Sequence, residues 1–134
     1  MALRGRLEAE AQAAGFDALA VTTADAIPLA AERLDRFVAL GRHGEMDWMA
    51  LTAGRRGSPT ALWPEARGVV MLAKSYAPES DPLEALAHKD RGVVSCYAKG
   101  RDYHDIMKPG LKRVARLIAT ETGADVKVFV DTAP

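Results

Sequence analysis

The side chains with the greatest chemical capacity lie close together between Cys96 and His104, where a thiol, two phenols, two cations, a carboxylate and an imidazole surround Gly100. Such a set supports proton transfer and polar binding. Gly100 allows a sharp turn and a close approach to the main chain. Asp102 is placed to cap a helix, which puts Tyr103 and His104 in its first turn. Two readings of His104 stand level: direct contact with a substrate, or a helix-start imidazole bonded to a nearby carboxylate or carbonyl. Cys96, in an apolar run, reads as a packing or backbone contributor rather than a nucleophile. A second carboxylate, Asp131, ends the alternating run DVKVFV. Burial there would raise its pKa and keep it protonated as an acid, whereas an ordinary turn or cap aspartate needs no such role. The third candidate is the pair Arg55-Arg56 in the polar stretch TAGRRGSP. It suits planar recognition of phosphate or carboxamide groups, or else belongs to a solvated loop.

The elements that must position these groups follow from periodicity. Apolar residues at Leu3, Leu7, Ala11 and Ala14 predict a helix over 2–14, closed by Gly15. Residues 16–21 predict a first strand, and a helix starts near Pro28 with Leu34, Phe37, Val38 and Leu40 on its buried side. A short helix over 45–51 is followed by a loop over 52–59 and a turn at Leu62-Trp63-Pro64. The run GVVMLA over 68–73 predicts a central strand buried on both faces. Residues 77–91 predict a long surface loop with one helical turn at 83–87. Residues 93–98 predict a strand, the segment from Ile106 to Glu121 a helix kinked near Pro109-Gly110, and residues 125–130 a last strand with Val126, Val128 and Val130 on one face. Together these describe one α/β (α+β) domain over 1–134, with a mixed or mostly antiparallel sheet of about four strands flanked by helices on both faces.

Composition narrows the classes. Lys plus Arg equals Asp plus Glu at 18 each, which disfavours a plain nucleic-acid-binding domain. The single cysteine excludes an internal disulfide and a cysteine-built metal site supplied by this chain alone. No apolar run is long enough to span a bilayer and no signal peptide is evident, so the expectation is a cytoplasmic protein. Dinucleotide-binding glycine patterns, a P-loop and HExxH are absent.

Six blocks, in order along the chain, resemble the N-terminal domain of the epoxyqueuosine reductases, cobalamin-dependent enzymes of queuosine tRNA modification. They are Gly15-Phe16 with its strand, Gly44 to Met49, Arg56 with Pro59 and Leu62-Trp63-Pro64, the 69–76 strand, Tyr97 to His104, and Phe129 to Pro134. The resemblance implies a fold like cobalamin-processing and nitroreductase-like domains rather than a Rossmann fold. It implies cobalamin as cofactor, with Arg56, Cys96 and Asp131 facing it, and Asp131 as the proton donor. Tyr97, Tyr103 and His104 would border the substrate pocket, with Tyr76 a weaker candidate. No protein ligand to the metal is implied.

The implied partners are a tRNA anticodon loop carrying epoxyqueuosine and an external electron donor. Family members continue into a ferredoxin-like part whose cysteines hold 4Fe-4S clusters, and this chain has no ligands for them. The expectation is therefore an N-terminal portion that does not turn over alone. The alternative is a non-catalytic cobalamin- or partner-binding module without the electron-transfer domain.

Overall fold

The structure, a computed structural model, describes residues 2–131; the Thr132-Ala133-Pro134 end of the last block lies outside them. Its described residues divide into two compact units, one of residues 2–19 with 72–131 and one of residues 20–71.

In the first unit, α1 (Leu3–Ala13) packs along α6 (Tyr103–Thr122). The heptad-like spacing of α1 places Leu7 and Ala11 on that seam, where they close with Phe16 and Val114 into the buried core. Val114 is 1% exposed, the most enclosed of the four. Arg113 ties the two helices from outside, its Nη2 standing 2.8 Å from Glu10 Oε1.

The kink expected at Pro109-Gly110 is accommodated within one continuous helix of 20 residues. Gly110 is buried, and a β-carbon there would lie 2.8 Å from Cε2 of Phe16. The glycine is thus the notch into which the Phe16 ring fits.

Gly123, at φ +69°, ends α6 in the left-handed conformation expected of a helix C-cap. From there the chain returns along the unit. A helix of 20 residues is about 30 Å long, and eight extended residues reach at most about 29 Å. Only an extended return could bring Asp131 back to the start of the helix. Burial alternates as the sequence predicts, with Val126, Val128 and Val130 half-buried between exposed neighbours. Yet residues 125–130 form no strand, because a strand needs a ladder partner and the sheet among the described residues consists of two other segments.

Strands β1 (Ala18–Thr23) and β2 (Gly68–Ala73) form a two-stranded antiparallel sheet. About four strands were expected, and two are present among the described residues. The run 93–98 is the other difference: its C-terminal half is a single 3-10 turn, Cys96–Ala98, and Val93 and Val94 are at least half exposed. A β-branched run specifies a strand only where a neighbouring edge receives it. The bounds of β2 are those expected, but it is not buried on both faces, since Met71 is 60% exposed. A two-stranded sheet has no interior strand.

In the second unit, α2 (Ala30–Ala39) starts two residues after Pro28. The short helix α3 (Asp47–Leu51) lies within the expected span. The stretch expected as a loop over 52–59 is instead mostly helical, in α4 (Ala53–Arg56) and the start of α5 (Pro59–Leu62). Ser58 caps α5, its Oγ accepting from the Ala61 N–H at 3.0 Å, and Pro59 follows at the first helical position. Gly57 permits α4 to approach α2, since a β-carbon would sit 3.0 Å from the Ala31 methyl. Back in the first unit, the surface segment after β2 contains one 3-10 turn, Pro82–Ala87, where a helical turn was expected. Among the described residues, no helix is long and apolar enough to cross a membrane.

Candidate functional site

The site is built on the N-terminal turn of α6, which the Val114 seam and the Gly110 notch hold against α1. Asp102 caps this helix as expected. Its Oδ1 accepts the backbone N–H of His104 at 2.9 Å and also stands 2.8 Å from Nδ1 of the His104 ring. One carboxylate oxygen therefore fixes both the backbone and the side chain of the same residue. The His104 N–H and then its ring hold the Asp102 carboxyl below the usual aspartate range.

On the other edge of the ring, Nε2 lies 3.3 Å from Asp131 Oδ1. Tyr103 donates its hydroxyl proton to the second oxygen, Oδ2, at 2.6 Å. That bond to a carboxylate, with lesser desolvation, pushes the Tyr103 pKa up from 10.0 to about 12. The phenol stays protonated through the neutral range and serves as a fixed donor. Its ring stacks on His104, with centroids 4.2 Å apart, and meets the edge of Tyr97 at 6.4 Å.

Tyr97 and Ala98, with Gly100 to His104, line an open cleft of about 390 Å³. Gly100, at φ +85°, makes the turn between the Cys96–Ala98 segment and the helix cap.

Of the residues singled out from sequence, Tyr97, Tyr103, His104 and Asp131 come together. Cys96 is half-buried one position before Tyr97, with a free thiol. Tyr76, 70% exposed, is not among the cleft-lining residues. The side chain of Asp131, expected to be buried, is 55% exposed, and it meets Tyr103 and His104. Arg56 belongs to the other unit. There its guanidinium lies 4.6 Å from the centroid of the Trp48 ring, and its Nε donates to Thr52 Oγ1 at 2.6 Å.

The pairing of the Asp102 carboxylate with the His104 ring matches the reading of His104 as a helix-start imidazole bonded to a nearby carboxylate, and only the identity of that carboxylate was left open. The spacing Asp-Tyr-His at a helix start carried the signal, since an N-cap carboxylate lies beside the residue two positions on.

Comparison with known families bears on this site directly. Residues 56–132 match the family model described as Epoxyqueuosine reductase QueG, DUF1730, a span that contains Arg56, the cleft and Asp131. The chain belongs to the epoxyqueuosine reductase family. Among curated epoxyqueuosine reductases, that of Pseudomonas aeruginosa is 38% identical over 103 residues, covering 75% of this chain and 28% of the relative. The enzyme of Leadbetterella byssophila is 38% identical over 121 residues, covering 90% of this chain and 38% of the relative. For that of Escherichia coli K12 the identity is 32% over 122 residues, with 90% and 32% covered. The chain thus spans little more than a third, at most, of the length of these three relatives. No solved structure matches it.

Proposed function

We propose that this chain is the substrate- and cofactor-facing portion of a reductase that converts epoxyqueuosine to queuosine in tRNA with cobalamin. Asp131 is the proton donor in this reading. The observation that carries it is the placement of Asp131 between Tyr103 and His104, beside an open cleft walled by aromatic rings.

The side chains here suit the group the reading requires. Val93, Val94 and Tyr97 are at least half exposed in the segment leading into the cleft, and Arg101, Asp102 and His104 supply donors and acceptors along it. That combination fits a large ring with an apolar face and an amide-bearing rim. A cleft of about 390 Å³ receives one edge of such a ring, so the rest would be covered by protein outside these residues. When bound, the cobalt supplies the reducing electrons.

The chain's own residues handle the proton. Removing an epoxide oxygen requires protons at that oxygen as its carbon bonds break, and a positioned carboxylic acid lowers the barrier. Tyr103, fixed in its protonated form, holds Oδ2 and leaves Oδ1 on the side of His104. Tyr97 and Tyr103 present aromatic surface for a nucleobase. The tRNA, an external electron donor and 4Fe-4S clusters elsewhere in the polypeptide complete the reaction, and the chain by itself is inactive in this reading. The same reading assigns the domain to the cobalamin-processing, nitroreductase-like folds.

Two experiments test it. Addition of this chain to cob(II)alamin should remove the axial nitrogen splitting from the electron paramagnetic resonance spectrum, and an unchanged spectrum at saturating protein would overturn cofactor binding by this portion. In a reductase of the relatives' full length carrying this sequence, Asp131→Asn should abolish conversion of epoxyqueuosine in tRNA. Normal turnover by that variant would remove Asp131 from the mechanism.

A further inference from the structure

The use of one Asp102 oxygen for two contacts goes beyond helix capping. An N-cap aspartate needs only a backbone N–H, and Asp102 has that of His104 at 2.9 Å. The same Oδ1 also meets the His104 ring at Nδ1, at 2.8 Å. An ionised carboxylate only accepts, so the nitrogen facing it must carry the proton. In the neutral ring the other nitrogen, Nε2, is then a bare acceptor, and it is the one turned toward Asp131 Oδ1 at 3.3 Å. Stacking on Tyr103 sets the ring plane, with centroids 4.2 Å apart and an interplanar angle of 29°.

We propose that Asp102 is a positioning residue which locks His104 in its Nδ1–H form, making His104 the group that returns a proton to Asp131. This rests on the reading of Asp131 as a proton donor.

The proton balance is simple. In one state Asp131 carries a proton on Oδ1 and His104 is neutral, with Nδ1–H directed at Asp102. In the other, Asp131 is a carboxylate and His104 an imidazolium, donating to Asp102 through Nδ1 and facing Asp131 through Nε2. Transfer breaks the Nε2–H bond, leaves its electron pair on Nε2 and forms the Oδ1–H bond. No electrons are exchanged. A separation of 3.3 Å is slightly beyond the usual hydrogen-bond reach, as is common in sites without substrate. Among the described residues, the charged and titratable groups against the ring include the Asp102 and Asp131 carboxyls and the Tyr103 phenol, and Tyr103 keeps its proton by donating to Asp131 Oδ2. His104 thus lies between two carboxylates, one that orients it and one that it serves.

The test is long-range proton–nitrogen NMR of this chain with labelled histidine, recorded at alkaline pH, where imidazole rings are neutral. The expected spectrum has Nδ1 protonated and Nε2 bare. In Asp102→Ser, where serine retains a good helix cap but removes the carboxylate, the protonated share should move mainly to Nε2. A wild-type ring protonated at Nε2, or a serine variant with an unchanged tautomer, would overturn the proposal. These readouts do not depend on turnover. If the tautomer behaves as described while a full-length enzyme fails to reduce epoxyqueuosine, the assigned reaction falls and the role of Asp102 as orienter of His104 remains.

Discussion

The hydroxyl of Tyr103 donates to Oδ2 of Asp131 across 2.6 Å, joining the first residue of α6 to the end of the return that follows it, 28 positions on. This bond makes the phenol pKa a reporter of the site. Because the folded value is raised from 10.0 to about 12, the protonated phenol is the form the fold prefers. Its stabilising contribution is fully present below pH 10 and is lost as the pH rises through about 12. Tyr103, followed by the NMR shift of its Cζ, should therefore ionise well above an ordinary tyrosine. Asp131→Ala should return the midpoint toward 10.0. An ordinary midpoint in the unaltered chain would show that the two side chains do not meet in solution.

Much of what positions this pair was legible in the sequence. The periodicity of α1 and α6, the Asp102 cap and the Gly123 stop all express local rules that the chain obeys. Residues 93–98 and 125–130 differ because a strand is a relation between two segments, and side-chain alternation reports a buried face without reporting a ladder partner. Alternation did survive at Val126, Val128 and Val130. The site was legible as a set of residues near Gly100, but the contact between His104 and Asp131 depends on the length of α6 and the direction of the return. Arg56 was legible as a planar cation. Its seat on Trp48 was not, since residues eight apart meet here only through two short helices, α3 and α4.

That seat yields a second prediction. Thr52 Oγ1 accepts from Arg56 Nε and donates to the Trp48 carbonyl, each at 2.6 Å, so the guanidinium is held over the indole by a hydroxyl bonded on both sides. A guanidinium over an indole at a partly exposed site contributes about 0.5–1 kcal/mol. Arg56→Ala should cost about that much in urea unfolding and shift the emission of Trp48, read in a Trp63→Phe background. Arg56→Lys should rescue little of either, because lysine keeps the charge but has neither the planar face nor Nε. Full rescue by lysine would mean that charge alone matters at this position.

Two adjacent residues of α6 should respond to alanine in opposite directions. Pro109 is exposed in the helix interior, where it removes the N–H that would bond the Asp105 carbonyl and crowds that same group. Proline costs a helix interior about 3 kcal/mol relative to alanine, so Pro109→Ala should stabilise the chain by roughly 1–3 kcal/mol. Gly110 is the reverse case. Helix propensity alone would favour alanine by about 1 kcal/mol. The new methyl, however, would lie 2.8 Å from Phe16 Cε2 and 3.3 Å from the Ala14 carbonyl oxygen. Phe16 is 5% exposed and belongs to the buried core with Leu7, Ala11 and Val114. Overpacking of this kind costs about 1–3 kcal/mol, which matches or exceeds the propensity gain, so Gly110→Ala should destabilise. Adding Phe16→Leu should recover part of the loss by removing the ring edge. Urea or thermal unfolding of the four proteins decides the matter. A stabilised Gly110→Ala would mean that α1 and α6 are not packed as closely as the Phe16 contact requires.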